Sequence, residues 1–175
     1  MYIFKELDVN LTKRINNLAN RNKLLLKTLI FTTNTCDGKM YLLYSLIIPF
    51  AFPSNGLEIL KIGVCAFGFQ VPVYLIIKNL VKRNRPYHNS DINLYLTPPD
   101  RYSFPSGHCA SSTLLVLTMS MFEAWIIPYL IIWMLLIYIS RIALGLHYIS
   151  DAMGGIILGC ISFVVGYNIS QLFLW

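Results

Sequence analysis

The sequence predicts an all-α protein: a polytopic transmembrane helical bundle of five spans, preceded by an interfacial amphipathic helix. Three observations lead there. Of the 175 residues, 56% are hydrophobic and only 13% charged, a balance too apolar for an ordinary soluble domain. The charges are also unevenly spread, with none of Asp, Glu, Lys or Arg in residues 40–57, 62–77, 124–140 and 152–175, and a single histidine near the start of 104–122. A bilayer core about 30 Å thick takes roughly 20 residues of helix, within a range of about 17–25, and these five stretches lie at or near that length.

The N-terminal residues 1–22 mix Lys5, Glu6, Asp8, Lys13, Arg14 and Arg21 with apolar residues at 4, 7, 11, 15 and 18. That is helical spacing, and it predicts an amphipathic helix lying in the membrane interface. Residues 24–33 continue as an apolar segment broken by Lys27, short for a span and read as interfacial or re-entrant; if it crosses, the spans number six. Residues 1–38 are thus an N-terminal segment, and 39–175 the helical bundle of one membrane-embedded domain. The second span, about 57–80, ends at Lys78 and the basic run Lys82, Arg83 and Arg85. A loop with Pro86, Asn89, Ser90, Pro98, Pro99 and Asp100 follows, rich in turn formers. The third span begins just after Ser106-Gly107-His108 and returns at Phe122-Glu123. The fourth starts there and ends at Arg141, and His147 and Asp151 precede the last. Cys36, Cys65, Cys109 and Cys160 show no metal-ligand spacing and read as packing residues. Gly154, Gly155, Gly159 and Gly166 in the last span suit close helix approach.

This alternation of spans puts Lys78, Arg85, Ser106, His108, Arg141, His147 and Asp151 at one face of the bundle, although they come from four helices and two loops. Ionisable residues near membrane depth are costly and usually mark a site. Cations and histidines gathered at one place imply an anionic ligand. Lys78 and Arg85 are seven apart and can share one side of a helix; His147 and Asp151 are four apart, a spacing at which a carboxylate holds an imidazole. Ser106 is a good N-cap, and the amides of the turn it opens, with Gly107, can bind an anion.

Phosphoryl transfer mostly demands positioning and stabilisation of negative charge on the phosphoryl oxygens. Lys78, Arg85 and Arg141 can supply that, with Ser106 and the amides of Gly107 and His108. Histidine serves both as nucleophile and as proton carrier near neutrality. Asp151 would orient His147, which makes His147 the expected nucleophile and leaves His108 as general acid and later the base that activates water.

The segments Lys78-(six residues)-Arg85-Pro86, Pro105-Ser106-Gly107-His108 and Ser140-Arg141-(five residues)-His147-(three residues)-Asp151 together resemble the signature of the type 2 phosphatidic acid phosphatase superfamily, which also includes vanadium haloperoxidases. Order and internal spacing match throughout. The resemblance implies a membrane lipid phosphatase with His147 as nucleophile, His108 as acid/base, Asp151 as its partner, and Lys78, Arg85, Ser106, Gly107 and Arg141 around the phosphate. It also implies catalysis without a metal or other cofactor, and the sequence offers no carboxylate cluster of the kind magnesium sites use. The expected partners are a lipid phosphate and the surrounding membrane lipids, with no nucleic acid and no obligate protein partner. Small bacterial members of the family suggest phosphatidylglycerol phosphate, undecaprenyl pyrophosphate, the 1-phosphate of lipid A or phosphatidic acid.

Three other functions are weighed against this one. A haloperoxidase is disfavoured by the spans. A transporter tends to carry its charges at the bilayer midplane on broken helices, whereas these lie at span ends. A phosphotransferase would use the same histidine and differ only in its acceptor. Outside the three segments, His88 reads as incidental, Asp100 and Arg101 either select a headgroup or are simply solvated, and Lys82 and Arg83 suit contact with anionic lipid. On the five-span reading, thirteen of the fourteen Lys and Arg lie on the site's face, so the positive-inside rule points to the cytoplasm. The family resemblance implies instead a cell (inner) membrane protein whose site faces the periplasm, and a crossing by 24–33 would nearly remove the conflict.

Overall fold

The computed structural model describes residues 2–88 and 91–172; Asn89, Ser90, residues 173–175 and the side chains of residues 1–5 and 20 lie outside the described residues. The regular structure of the described residues is helical, with no strand among them; besides two short 3-10 turns it comprises α1 (Tyr2–Asn20), α2 (Lys23–Asn34), α3 (Gly38–Ala51), α4 (Gly56–Val81), α5 (Gly107–Ser120), α6 (Ile127–Ala143) and α7 (Ile149–Leu172). Three stretches are long and apolar enough to cross a membrane: the one built on α4, residues 124–143 ending with α6, and α7. The other two expected spans, α3 and α5, have 14 residues each, about 21 Å at 1.5 Å per residue. They still connect the two ends of the bundle. Asp37, before α3, touches His108 at the start of α5, while Asn55, after α3, bonds Glu123 beyond the end of α5.

The N-terminal segment stays at one end. Asn22 caps α2, accepting from the amides of Leu24 and Leu25, so the chain turns there and begins a second short helix. At 12 residues, α2 spans about 18 Å, against a bilayer core of about 30 Å. Ala19 of α1 and Leu29 of α2 pack with Ala143 at the end of α6 and with Leu144 and Leu146 just after it, which docks both helices on the end where α6 finishes. In α1, Asn16 is fully buried, donating to the carbonyls of Asn93 and Ala143 at 2.9 Å each, while Leu7, Leu11 and Leu18 are exposed. A helix with its polar face on protein and a leucine stripe outside suits the interface.

Close packing around α7 holds the rest. A Cβ on Gly155 would stand 2.4 Å from the carbonyl of Ser106, and one on Gly159 would stand 2.5 Å from that of Ala110. These glycines therefore let α7 and α5 touch backbone to backbone, and that contact brings the start of α7 beside the start of α5.

Candidate active site

Ser106 opens α5 with an extended backbone, and its hydroxyl accepts from the Cys109 amide at 3.4 Å. Its own amide donates to the carbonyl of Asp151 at 3.0 Å. A tight turn follows α6, where the amides of Leu146 and His147 both donate to the carbonyl of Arg141 at 3.2 Å. Arg85 joins the two regions: Nη1 donates to the Leu146 carbonyl at 2.8 Å and lies 3.4 Å from Nε2 of His147. With Arg85 donating to Nε2, the neutral ring carries its proton on Nδ1 and keeps a lone pair on Nε2.

All eight residues expected in the site gather at this end of the bundle, but two local expectations are corrected. Lys78 and Arg85 do not share a helix. Lys82 adopts a left-handed backbone with φ 48°, which ends α4 and sends Arg85 out on the extended segment before Pro86. His147 also precedes α7, so its relation to Asp151 is not one of two residues on a helix face. Their Nδ1···Oδ2 separation is 3.8 Å, beyond a hydrogen bond, and Nδ1 has no partner. Instead Oδ2 of Asp151 accepts from the Tyr148 amide at 2.8 Å and Oδ1 accepts from Arg83 Nη1 at 2.7 Å.

Arg83 is thus structural and not a lipid contact. It pairs with Asp8 of α1 and Asp151 of α7 at 2.7 Å each and lies over the Tyr148 ring at 4.1 Å. Asp100 is equally misjudged by its loop position. Its carboxylate bridges Lys78 Nζ and Arg85 Nη2 at 2.7 Å each, and the Tyr74 hydroxyl, itself in contact with Lys78, donates to it at 2.9 Å. A carboxylate held on two buried cations occupies the kind of position a phosphate oxygen takes. Partial burial opposes its ionisation, but the hydrogen bonds and charges of Lys78 and Arg85 prevail and bring its pKa down to about 2. Asp37 is a third carboxylate without a signal in the sequence: its Oδ1 lies 2.9 Å from Nε2 of His108.

His147 is 2% exposed. Burial, reinforced by the charges of Arg141, Arg85, Lys78 and His108, pushes its pKa well below the usual histidine value, so the imidazole is neutral and its lone pair available. Arg141, also buried, donates from Nη1 to Thr33 at 2.9 Å and leaves Nε without a partner. A cavity of about 530 Å³ opens between α3, α4 and α5, lined by side chains such as Tyr41, Leu60, Phe67 and Leu114, and it reaches Tyr74, Gly107 and His108 at the site. His147 does not line it.

Residues 58–175 match the PAP2 superfamily. Decaprenylphosphoryl-5-phosphoribose phosphatase of Mycobacterium tuberculosis (strain ATCC 25618 / H37Rv) is 36% identical over 124 residues, covering 71% of this chain and 67% of its own length. The protein of the same name from Mycolicibacterium smegmatis is 32% identical over 105 residues, covering 60% of this chain and 56% of its own. The crystal structure of Aquifex aeolicus LpxE superposes with a TM-score of 0.78 at 27% identity, covering 95% of this chain and 96% of that one. The PAP2 type phosphatidylglycerolphosphate phosphatase of Bacillus subtilis superposes at 0.77 over 99% of this chain and 89% of its own, and at 20% identity shows the fold alone.

Proposed function

The chain belongs to the PAP2 superfamily and is a membrane phosphatase; on that premise we propose that it hydrolyses a phosphate ester or diphosphate on a lipid headgroup through a phosphohistidine intermediate, without a metal. The observation that carries the proposal is the junction of two environments. Buried Lys78, Arg85 and Arg141 and two histidines stand at the end of a largely apolar cavity, a combination that fits an anionic headgroup joined to a hydrocarbon chain.

The cavity also supports the division of roles. In-line displacement puts nucleophile and leaving group on opposite sides of phosphorus. The cavity reaches His108 and not His147, so a lipid lying in it presents its bridging oxygen to His108 and the far side of its phosphate to His147. Lys78, Arg85 and Arg141 hold the non-bridging oxygens, with Ser106 and the amides of Gly107 and His108, and the carboxylate of Asp100 gives way to them. Nε2 of His147 attacks phosphorus, and the breaking P–O bond leaves its electron pair on the lipid oxygen, which takes a proton from His108. Water then gives a proton to His108 while its oxygen displaces Nε2, returning the bond pair to His147. Asp151 faces the Nδ1 side of His147 and compensates the positive charge that the ring carries in the intermediate.

For the substrate, the relatives' names offer a decaprenylphosphoryl phosphoribose and a phosphatidylglycerolphosphate. With the 1-phosphate of lipid A and undecaprenyl pyrophosphate from the family resemblance, they share a phosphate group at headgroup depth on a long-chain lipid. A lipid phosphotransferase reading uses the same histidine and differs by an alcohol replacing water. In the membrane we take α3 to α7 as five crossing helices with the site on the extracytoplasmic face. The basic residues held at that face by the short α2 argue for the cytoplasm, and labelling of Arg101→Cys in intact cells by an impermeant thiol reagent decides between them.

The test of function is phosphate release by the purified protein in detergent from lipid monophosphates and diphosphates, with EDTA present and a His147→Ala control. Release that survives EDTA and vanishes in the variant is expected. No release from any lipid by folded protein sinks the hydrolase reading, and transfer to added alcohols without hydrolysis favours the phosphotransferase.

A further inference from the structure

His108 has a partner that none of the three signature segments supplies. Asp37 comes 71 residues earlier, outside the residues that match the family. It stands at the N-cap of α3 with an extended backbone, φ −72° and ψ 154°. An aspartate there ordinarily turns its carboxylate onto the free amides of its own helix. Asp37 makes no such bond and turns to the imidazole instead.

The turn that carries it is fastened from several sides. The carbonyl of Thr35 accepts from the Tyr44 hydroxyl at 2.8 Å, and its hydroxyl accepts from Trp133 Nε1 at 2.8 Å. The Cys36 thiol donates to the carbonyl of His108 itself at 3.4 Å, and Arg141 holds Thr33 at 2.9 Å. Bonds from α3, α5 and α6 thus fix the turn from which this carboxylate reaches His108. The hydrogen bond with His108 outweighs partial burial and holds the Asp37 carboxyl below the usual carboxylate range, so it is ionised. Burial first, then the charges of Arg141 and Arg85, oppose a proton on His108, and Asp37 offsets them only in part. An imidazole that is to give up a proton must first hold one.

We infer that Asp37 is the positioning residue of the general acid: it fixes the His108 ring through Nε2 and favours its protonated form, so that the proton exchanged with the leaving oxygen travels from Nδ1. This rests on the reading of His108 as acid. As the P–O bond breaks, its electron pair goes to the lipid oxygen and the Nδ1 proton joins it. His108 is left neutral, with its remaining proton on Nε2 against Asp37.

Leaving-group dependence tests this. An alkoxide needs a proton to depart, whereas p-nitrophenolate departs without one. kcat/KM is measured for phosphatidic acid in mixed micelles and for p-nitrophenyl phosphate, in the wild type, Asp37→Asn, Asp37→Glu, His108→Ala and the Asp37→Asn/His108→Ala double variant. General acid catalysis contributes about 10²–10⁴-fold, so losing the positioning group is expected to lower kcat/KM about 10- to 100-fold for the lipid and less than about threefold for the aryl ester. Asp37→Glu should recover part of the loss, and Asp37→Asn should add nothing once His108 is gone. Equal losses on both esters, or a loss undiminished in the His108→Ala background, would overturn the inference. A wild type that releases phosphate from neither ester nor from any other lipid phosphate would overturn the functional reading and this inference with it.

Discussion

Replacing Asp100 with asparagine removes the carboxylate that bridges Lys78 and Arg85 and leaves both cations in place. The two contacts are 2.7 Å each, and the cationic side chains are 5% and 1% exposed, against 33% for Asp100. Truncating one partner of a fully buried ion pair costs about 3–5 kcal/mol; with a third of this carboxylate in water, about 2 kcal/mol is the reasonable figure. For a domain of this size 1 kcal/mol moves Tm by about 2–4 °C, so Asp100→Asn should melt about 4–8 °C below the wild type. Thermal unfolding in detergent can be followed with a fluorogenic thiol reagent, because Cys36 and Cys109 are 3% and 0% exposed and react only when the bundle opens. Inorganic phosphate supplies the second arm. If Asp100 occupies the phosphate position, phosphate raises Tm more in the variant, where nothing must be displaced, than in the wild type. Acid supplies a third. Asp100 titrates near 2 in the folded chain instead of the ordinary 3.8, so the unfolded chain binds a proton that the folded one refuses. The stabilisation is full above about pH 4 and is lost as pH falls toward 2; Asp100→Asn lacks that loss. An unchanged Tm in the variant, or equal phosphate shifts in both proteins, would refute the assignment.

His147→Ala should lower phosphate release on the order of 10³-fold or more while leaving a folded protein. Because the wild-type imidazole is held below its ordinary 6.5, the wild type should also lose more stability than the variant as pH falls below about 6.5, which parallel melting curves would show. Arg83→Ala strips the counter-charge from Asp151, which is fully buried, at a cost of about 3–5 kcal/mol; a lower Tm should come with faster proteolysis within α1, because Asp8 loses its ion pair with Arg83 and is left with its bonds to Ser150. Gly159→Ala forces a Cβ to 2.5 Å from the Ala110 carbonyl, whereas a Cβ at Gly68 meets nothing within 4 Å. Overpacking costs about 1–3 kcal/mol, so melting should separate the two alanine variants by that amount, with Gly68→Ala close to wild type.

The architecture was legible because a bilayer imposes a crude and strong rule on composition. The second span, read as about 57–80, meets α4 almost at its ends, the charge-free stretches 124–140 and 152–175 lie within three residues of α6 and α7, and the turn residues around Ser106 predict where α5 begins. Parity then brings the signature residues to one face without any knowledge of packing. Finer geometry was not legible. A spacing of seven from Lys78 to Arg85 suggests two helical turns, but the left-handed Lys82 lies between them, and a lysine at that position carries no pattern that announces it. A spacing of four from His147 to Asp151 suggests a helix face, but the backbone hydrogen bonds to the Arg141 carbonyl keep His147 in the turn before α7.

What spacing could not show is the counter-charge. Asp8, Asp37 and Asp100 each look like a lone acid in a polar stretch, and each meets its partner across a long interval: 75 residues from Asp8 to Arg83, 71 from Asp37 to His108 and 22 from Lys78 to Asp100. A site built to hold a phosphate concentrates positive charge, and such a cluster is unstable by itself in a low-dielectric setting. Carboxylates must therefore come from somewhere, and only residues at the same end of the bundle can deliver them. The same parity that gathers the cations identifies that short list of acids. The observed division then follows from depth. Asp151 is fully buried and has a fixed counter-ion in Arg83. Asp100 and Asp37, at 33% and 52% exposed, lie where a substrate arrives, so one can yield to an incoming phosphate and the other can stay on the histidine that serves it.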